Sequence, residues 1–112
     1  MKFIVTGSAG LVGSQVVKDL LQQKHMVYSC YHNEKPLHGT PILLDLTDEN
    51  KIIQTIQETK PDRIIHLAAM TNVDLCETEK ELATQINTKA TEIIAKQAAK
   101  QNIFFLYVST DY

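Results

Sequence analysis

Short apolar clusters alternate with longer amphipathic stretches along this chain. Lys2–Thr6 (KFIVT) reads as a strand buried on both faces, because its apolar residues are consecutive rather than alternating. Leu11–Gln23 reads as a helix with Val12, Val16, Val17, Leu20 and Leu21 near helical spacing. Met26–Tyr31 is the second predicted strand. Asn33–Pro41, rich in Gly, Pro and polar residues, is a loop, and Ile42–Asp45 is a short third strand. Either Thr47 or Asp48 can cap the helix that carries Ile52, Ile53 and Ile56, which ends near Lys60 with Pro61 as a stop. Arg63–Leu67 is a fourth strand, followed by the long loop AAMTNVDLCETEK. Glu79 to about Lys100 is a long helix with Leu82, Ile86, Ala90, Ile93 and Ile94 inward, and Ile103–Val108 is a fifth strand.

Strands alternate with helices, and no turn signal suggests a hairpin. This pattern predicts an α/β fold, a Rossmann-type doubly wound parallel sheet with helices on both faces. Right-handed crossovers limit the topologies, and 3-2-1-4-5 is the expected strand order, with a switch point beside strand 1. Ligands of such sheets bind at the carboxyl ends of the strands, at that point.

With 112 residues, 44% of them apolar, the chain suits one globular domain. A formal net charge of −2 supplies no basic footprint for nucleic acid. No apolar run could span a membrane, and Gly7 cuts the first one too short for a signal peptide. Cys30 and Cys76 read as free thiols of a reducing, cytoplasmic protein. Cys76 with Asp74, Glu77 or His66 has no recognised ligand spacing, so no metal is expected.

Candidate chemistry begins at IVTGSAGLVGSQVV. Gly7 leaves the first strand in a tight turn, Gly10 allows close approach of backbone to a ligand, and Gly13 lets the helix pack tightly on the strand. The helix N-terminus then offers N–H groups and a positive dipole end to a pyrophosphate. The spacing is G-x-x-G-x-x-G rather than the commoner G-x-G-x-x-G, but it lies between a strand and a helix, where a dinucleotide fingerprint must lie. Purely structural glycines are the alternative. An acid is expected about 20 residues on, at the end of strand 2. That region reads SCYHNEK, with Glu34 late. His32 and Lys35 could meet a 2′-phosphate or simply form a solvated loop. NAD and NADP both stay open, with the balance toward NADP.

The motifs TGSAGLVG, LDLTD, PDRIIHLAAMTNVDLCE, the Asn of QINTKA and YVSTDY occur in one order over essentially the whole chain. Together they resemble the extended short-chain dehydrogenase/reductases, and within them the dTDP-4-dehydrorhamnose reductases of dTDP-L-rhamnose synthesis. The resemblance implies that Gly10, Leu11 and Val12 line the pyrophosphate and adjacent ribose while Gly7 and Gly13 shape the turn. It implies that Asp45 and Leu46 meet the adenine, although Asp45 can also cap its strand end. Ala68, Ala69 and Met70 would pass the cofactor's phosphate and nicotinamide ribose, unless the alanines are ordinary packing. Val108 would border the cofactor, and Thr71 and Asp74 would face the substrate. Asn87 would tie loops together, and His66 reads as a satisfied core histidine. Thr110 would be the catalytic hydroxyl that holds the sugar's C4 oxygen, against the alternative of a backbone cap, and Asp111 would border the sugar nucleotide.

The family's catalytic tyrosine and lysine belong to a Tyr-x-x-x-Lys helix downstream of the threonine. Tyr112 does not match that tyrosine. Tyr31 and Lys35 have the spacing but fall at strand 2, far from the expected hydride site. Residues 1–112 are therefore expected to be an incomplete dinucleotide-binding domain without the substrate domain, inactive alone. The implied activity is NAD(P)H-dependent reduction of the 4-keto group of a nucleotide-linked deoxysugar, in a protein that can form a homodimer. The alternatives are a non-catalytic regulatory subunit similar to the methionine adenosyltransferase beta subunit, or another sugar-nucleotide epimerase or dehydratase.

Overall fold

A computed structural model describes residues 1–67 and 77–108, with the side chains of 77–86 excepted. Ala68, Ala69, Met70, Thr71, Asp74, Cys76, Ser109, Thr110, Asp111 and Tyr112 thus lie outside the described residues, as do the side chains of Leu82 and Ile86.

The elements are β1 (Lys2–Thr6), α1 (Leu11–Gln22), β2 (Met26–Tyr31), β3 (Thr40–Leu43), α2 (Glu49–Thr59), β4 (Arg63–His66), α3 (Glu77–Lys100) and β5 (Phe104–Tyr107). The strands form one sheet in the order β3-β2-β1-β4-β5, parallel at each pairing, as expected from the alternating pattern. Ile4 of the central strand stands opposite Tyr28 on one side and Ile64 on the other.

Alternation along β1 divides the core into two layers. Ile4 joins Cys30, Leu44 and Ile64 under Ile52 and Ile56 of α2 and Ala90, Ile94 and Ala98 of α3. Phe3 and Val5 point the other way, to Val27, Leu67 and Val17 of α1. Both faces of β1 are therefore dry, which is why it reads as an unbroken apolar run. Full burial of a side chain such as Ile52 contributes roughly 1.5–3 kcal/mol.

Several boundaries move for identifiable reasons. β3 starts at Thr40 rather than Ile42 and ends before Asp45. Its register is set by pairing Tyr28 with Thr40, and Pro41 is tolerated because β3 is an edge strand. β4 stops at His66 because the Leu67 N–H turns to the Thr6 side chain at 3.0 Å. Asp48, not Thr47, caps α2: its carboxylate accepts from the Lys51 N–H at 3.1 Å, while Thr47 is held by Asp45. On α1 the buried positions are Gly13 and Val17, with Val16 and Leu20 packed beside them. Val12 and Leu21, predicted inward, are 46% and 38% exposed, because the helix meets the sheet through Gly13.

Candidate functional site

The turn between β1 and α1 is built by its glycines and serines. Gly7 has φ of 66°, in the left-handed region that a side chain would strain. The Gly10 N–H donates to the Gly7 carbonyl at 3.2 Å and closes the turn. A β-carbon on Gly13 would lie 2.0 Å from the Gly7 carbonyl oxygen, so the helix touches the turn there with no room for a side chain. Among the described residues a β-carbon on Gly10 would meet just that same oxygen, at an ordinary 3.4 Å. The three glycines thus have three distinct jobs: backbone conformation, an open approach and tight packing.

Two hydroxyls absent from the sequence reading brace this turn. Ser8, wholly buried, donates to the Cys30 carbonyl at 2.9 Å and ties the turn to β2. Ser14 donates to the Ser8 carbonyl at 3.2 Å. Their one sequence signal was a small hydroxyl residue directly after a glycine, Ser8 after Gly7 and Ser14 after Gly13.

The start of α1 carries no side-chain cap on Gly10 and no acid in the first turn. Its first N–H groups therefore have no helical partner and no carboxylate of their own turn beside them, which suits an anion. Leu11, 93% exposed, and Val12 flank this end on an open surface.

The ends of β2 and β3 add a second cluster. The Asp45 carboxylate accepts from the Thr47 hydroxyl at 2.7 Å and its N–H at 2.9 Å, so Asp45 does serve as a cap in the turn after β3. Those bonds, the hydroxyl foremost, hold its pKa below the usual carboxylate range, with a smaller contribution from His32. His32 Nε2 lies 3.8 Å from the other carboxylate oxygen. Leu46 packs partly against the α2–α3 core. Val108 packs beside Leu67, and its N–H donates to the His66 carbonyl at 3.2 Å.

His66 is a satisfied core histidine, as expected. It is wholly buried, with Nδ1 2.6 Å from Thr6 Oγ1 and Nε2 3.1 Å from Thr91 Oγ1. Burial pulls its pKa from 6.5 down to about 4, so the folded protein holds it neutral at pH 7. Below pH 6.5 the unfolded chain binds a proton that the folded one refuses. The His66 contribution is therefore intact above that pH and lost as pH falls toward 4. Thermal melts of the wild type should show Tm declining over this interval, and His66→Gln should flatten the decline. The same slope in both proteins would assign it to other groups. Burial also pushes the Cys30 thiol up to about 12, which leaves it unreactive. Among the described residues no cluster of three or more His, Cys, Asp or Glu could hold a metal, and no helix is long and apolar enough to cross a membrane.

Residues 1–112 match the family described as the RmlD substrate binding domain. The chain belongs to that family. A solved structure described as a hypothetical dTDP-4-dehydrorhamnose reductase from Sulfolobus tokodaii superposes with a TM-score of 0.86 at 36% identity, covering 100% of this chain and 40% of that one. A probable low-salt glycan biosynthesis reductase of Haloferax volcanii is 39% identical over 100% of this chain and 38% of its own length. Methionine adenosyltransferase 2 subunit beta of Xenopus laevis is 38% identical over 97% of the chain and 32% of its own length. This RmlD-family chain thus spans well under half the length of these relatives. The resemblance to extended short-chain dehydrogenase/reductases, read from the motifs, holds. UDP-glucose 4-epimerase of Thermotoga maritima, at 23% identity and a TM-score of 0.86, shares the fold.

Proposed function

We propose that residues 1–112 are the dinucleotide-binding unit of a cytoplasmic reductase acting on the 4-keto group of a nucleotide-linked deoxysugar, with the substrate domain elsewhere in the full-length protein. The observation that carries this reading is the braced glycine turn, open at Gly10 and followed by an uncapped helix start. When bound, a nicotinamide dinucleotide supplies hydride to the sugar's C4. The residues that would hold it are Gly7, Gly10, Leu11, Val12 and Gly13 at the pyrophosphate, Asp45 and Leu46 at the adenine, and Ala68, Ala69, Met70 and Val108 beside the nicotinamide half. Thr110 would hold the substrate oxygen, and Asp111 would border the sugar nucleotide. The names of the Sulfolobus and Haloferax relatives support a reductase.

Calorimetric titration with NADPH and NADH tests the site. Among the described residues a β-carbon on Gly10 makes an ordinary contact, so Gly10→Val is expected to keep the fold while affinity falls about 100-fold or more, roughly 2.7 kcal/mol. Equal affinity in a folded variant would remove this turn from the cofactor site. NADPH is expected to bind at least as well as NADH, since no acid ends β2 and a 2′-phosphate could draw His32 away from Asp45. A clear NADH preference unaffected by His32→Ala or Lys35→Ala would reverse that assignment.

A second reading rests on the methionine adenosyltransferase 2 subunit beta similarity: a dinucleotide-binding regulatory subunit without catalysis. A Tyr-x-x-x-Lys helix downstream in the full-length protein favours the reductase. Its loss, with a tight protein partner, favours the regulator.

A further inference from the structure

A continuous line of hydrogen bonds runs from the exit of β4 to the body of α3. The Leu67 N–H donates to Thr6 Oγ1 at 3.0 Å, and Thr6 Oγ1 lies 2.6 Å from His66 Nδ1. His66 Nε2 lies 3.1 Å from Thr91 Oγ1, which donates to the Asn87 carbonyl at 2.6 Å. Counting hydrogens gives this line a direction. The Thr91 hydroxyl has one hydrogen, committed to Asn87, so toward His66 it can only accept. Nε2 therefore carries the ring hydrogen. In a neutral imidazole Nδ1 is then the acceptor, and the Thr6 hydroxyl donates to it. The ring is also held by Phe105 and Tyr107 of β5, with centroids 6.3 Å and 5.4 Å away.

We infer that Thr6 and His66 are a positioning pair for the dinucleotide site: His66, anchored to α3 through Thr91, orients the Thr6 hydroxyl so that it pins the residue leaving β4 to the residue leaving β1. Thr6 directly precedes Gly7, and Leu67 directly precedes Ala68. The two segments proposed to flank the cofactor thus leave the sheet from points joined by one buried hydroxyl. Thr6 and Leu67 are 2% and 4% exposed, so water cannot readily replace that bond. The pair fixes the exits of β1 and β4 against each other before the ligand arrives, which lowers the ordering cost of binding. This inference rests on the dinucleotide reading for its ligand, while its pinning geometry stands apart from it.

Thr6→Val and Thr91→Val separate positioning from mere support. Each is nearly isosteric, and each leaves one ring nitrogen without its partner, so both should lower Tm. Only Thr6→Val releases Leu67. The Leu67 amide is expected to exchange faster in Thr6→Val than in Thr91→Val. NADPH affinity should fall about tenfold or more in Thr6→Val and less than about threefold in Thr91→Val, with Thr6→Ser restoring it. Equal affinities in all folded variants, or equal losses in both valine variants, would overturn the proposal. ¹⁵N spectra of the wild-type His66 ring at pH 7, without any ligand, should show the Nε2–H tautomer. The Nδ1–H tautomer would overturn it even if Thr6→Val failed to fold. A wild type with the expected tautomer and a protected Leu67 amide that bound no dinucleotide would overturn the dinucleotide reading, and with it the ligand assigned to the pair, but not the pinning.

Discussion

Gly13→Ala is expected to destabilise the folded chain by about 3 kcal/mol or more, enough to unfold much of a marginal domain. The added β-carbon would sit 2.0 Å from the Gly7 carbonyl oxygen and 3.0 Å from Ser8 Cα, all backbone. No side chain can rotate away to relieve this contact. The turn cannot yield freely either, since Ser8 fastens it to Cys30 and Ser14 fastens the helix to Ser8. Relief requires α1 to lift from the sheet, which would expose Val17. Gly10→Ala provides the control. Its β-carbon makes an ordinary contact, and its φ of −71° is open to any residue, so the cost should stay below about 1 kcal/mol. Urea denaturation of the two variants checks the contrast. Similar stabilities for both would mean that the helix does not rest on the turn as described.

Thr110→Val in the full-length protein is expected to reduce kcat by about 10²–10³ while leaving cofactor affinity nearly unchanged. That is the usual cost of losing one hydrogen bond aimed at a developing oxyanion. YVSTDY resembles the reductase motif, and Thr110 within it is the hydroxyl proposed to hold the substrate oxygen. A threonine hydroxyl can organise a carbonyl oxygen but is too weak an acid to protonate it. Residues 1–112 alone should therefore show no turnover of a 4-keto sugar nucleotide. Following NADPH absorbance with dTDP-4-keto-rhamnose reads both proteins. Turnover by the 112-residue chain would place the acid within it, and an unchanged kcat in Thr110→Val would remove that hydroxyl from the chemistry.

The alternation of apolar runs and amphipathic stretches was enough to determine the element order and the parallel sheet, because each short run lacked a hairpin partner and needed a crossover; 3-2-1-4-5 was the expected member of the strand orders that this pattern allows, and it is the one observed. The glycine spacing marked the turn for the same local reason: a strand that reverses into a packed helix demands residues without side chains. Local sequence did not determine the places where distant segments meet. Gly39 looked like a loop glycine, yet a β-carbon there would come within 2.3 Å of Ser29 Oγ, so the β2–β3 connection is pressed onto the sheet. Thr6 read as the end of a strand and His66 as a core residue. Their partnership, 60 positions apart, exists only because β1 and β4 are neighbours in register, with Thr6 opposite His66. Hydrophobic periodicity records which face of an element is buried. Which polar groups meet across that buried face is decided by tertiary pairing, because a hydrogen bond needs both partners in place and sequence shows them one at a time.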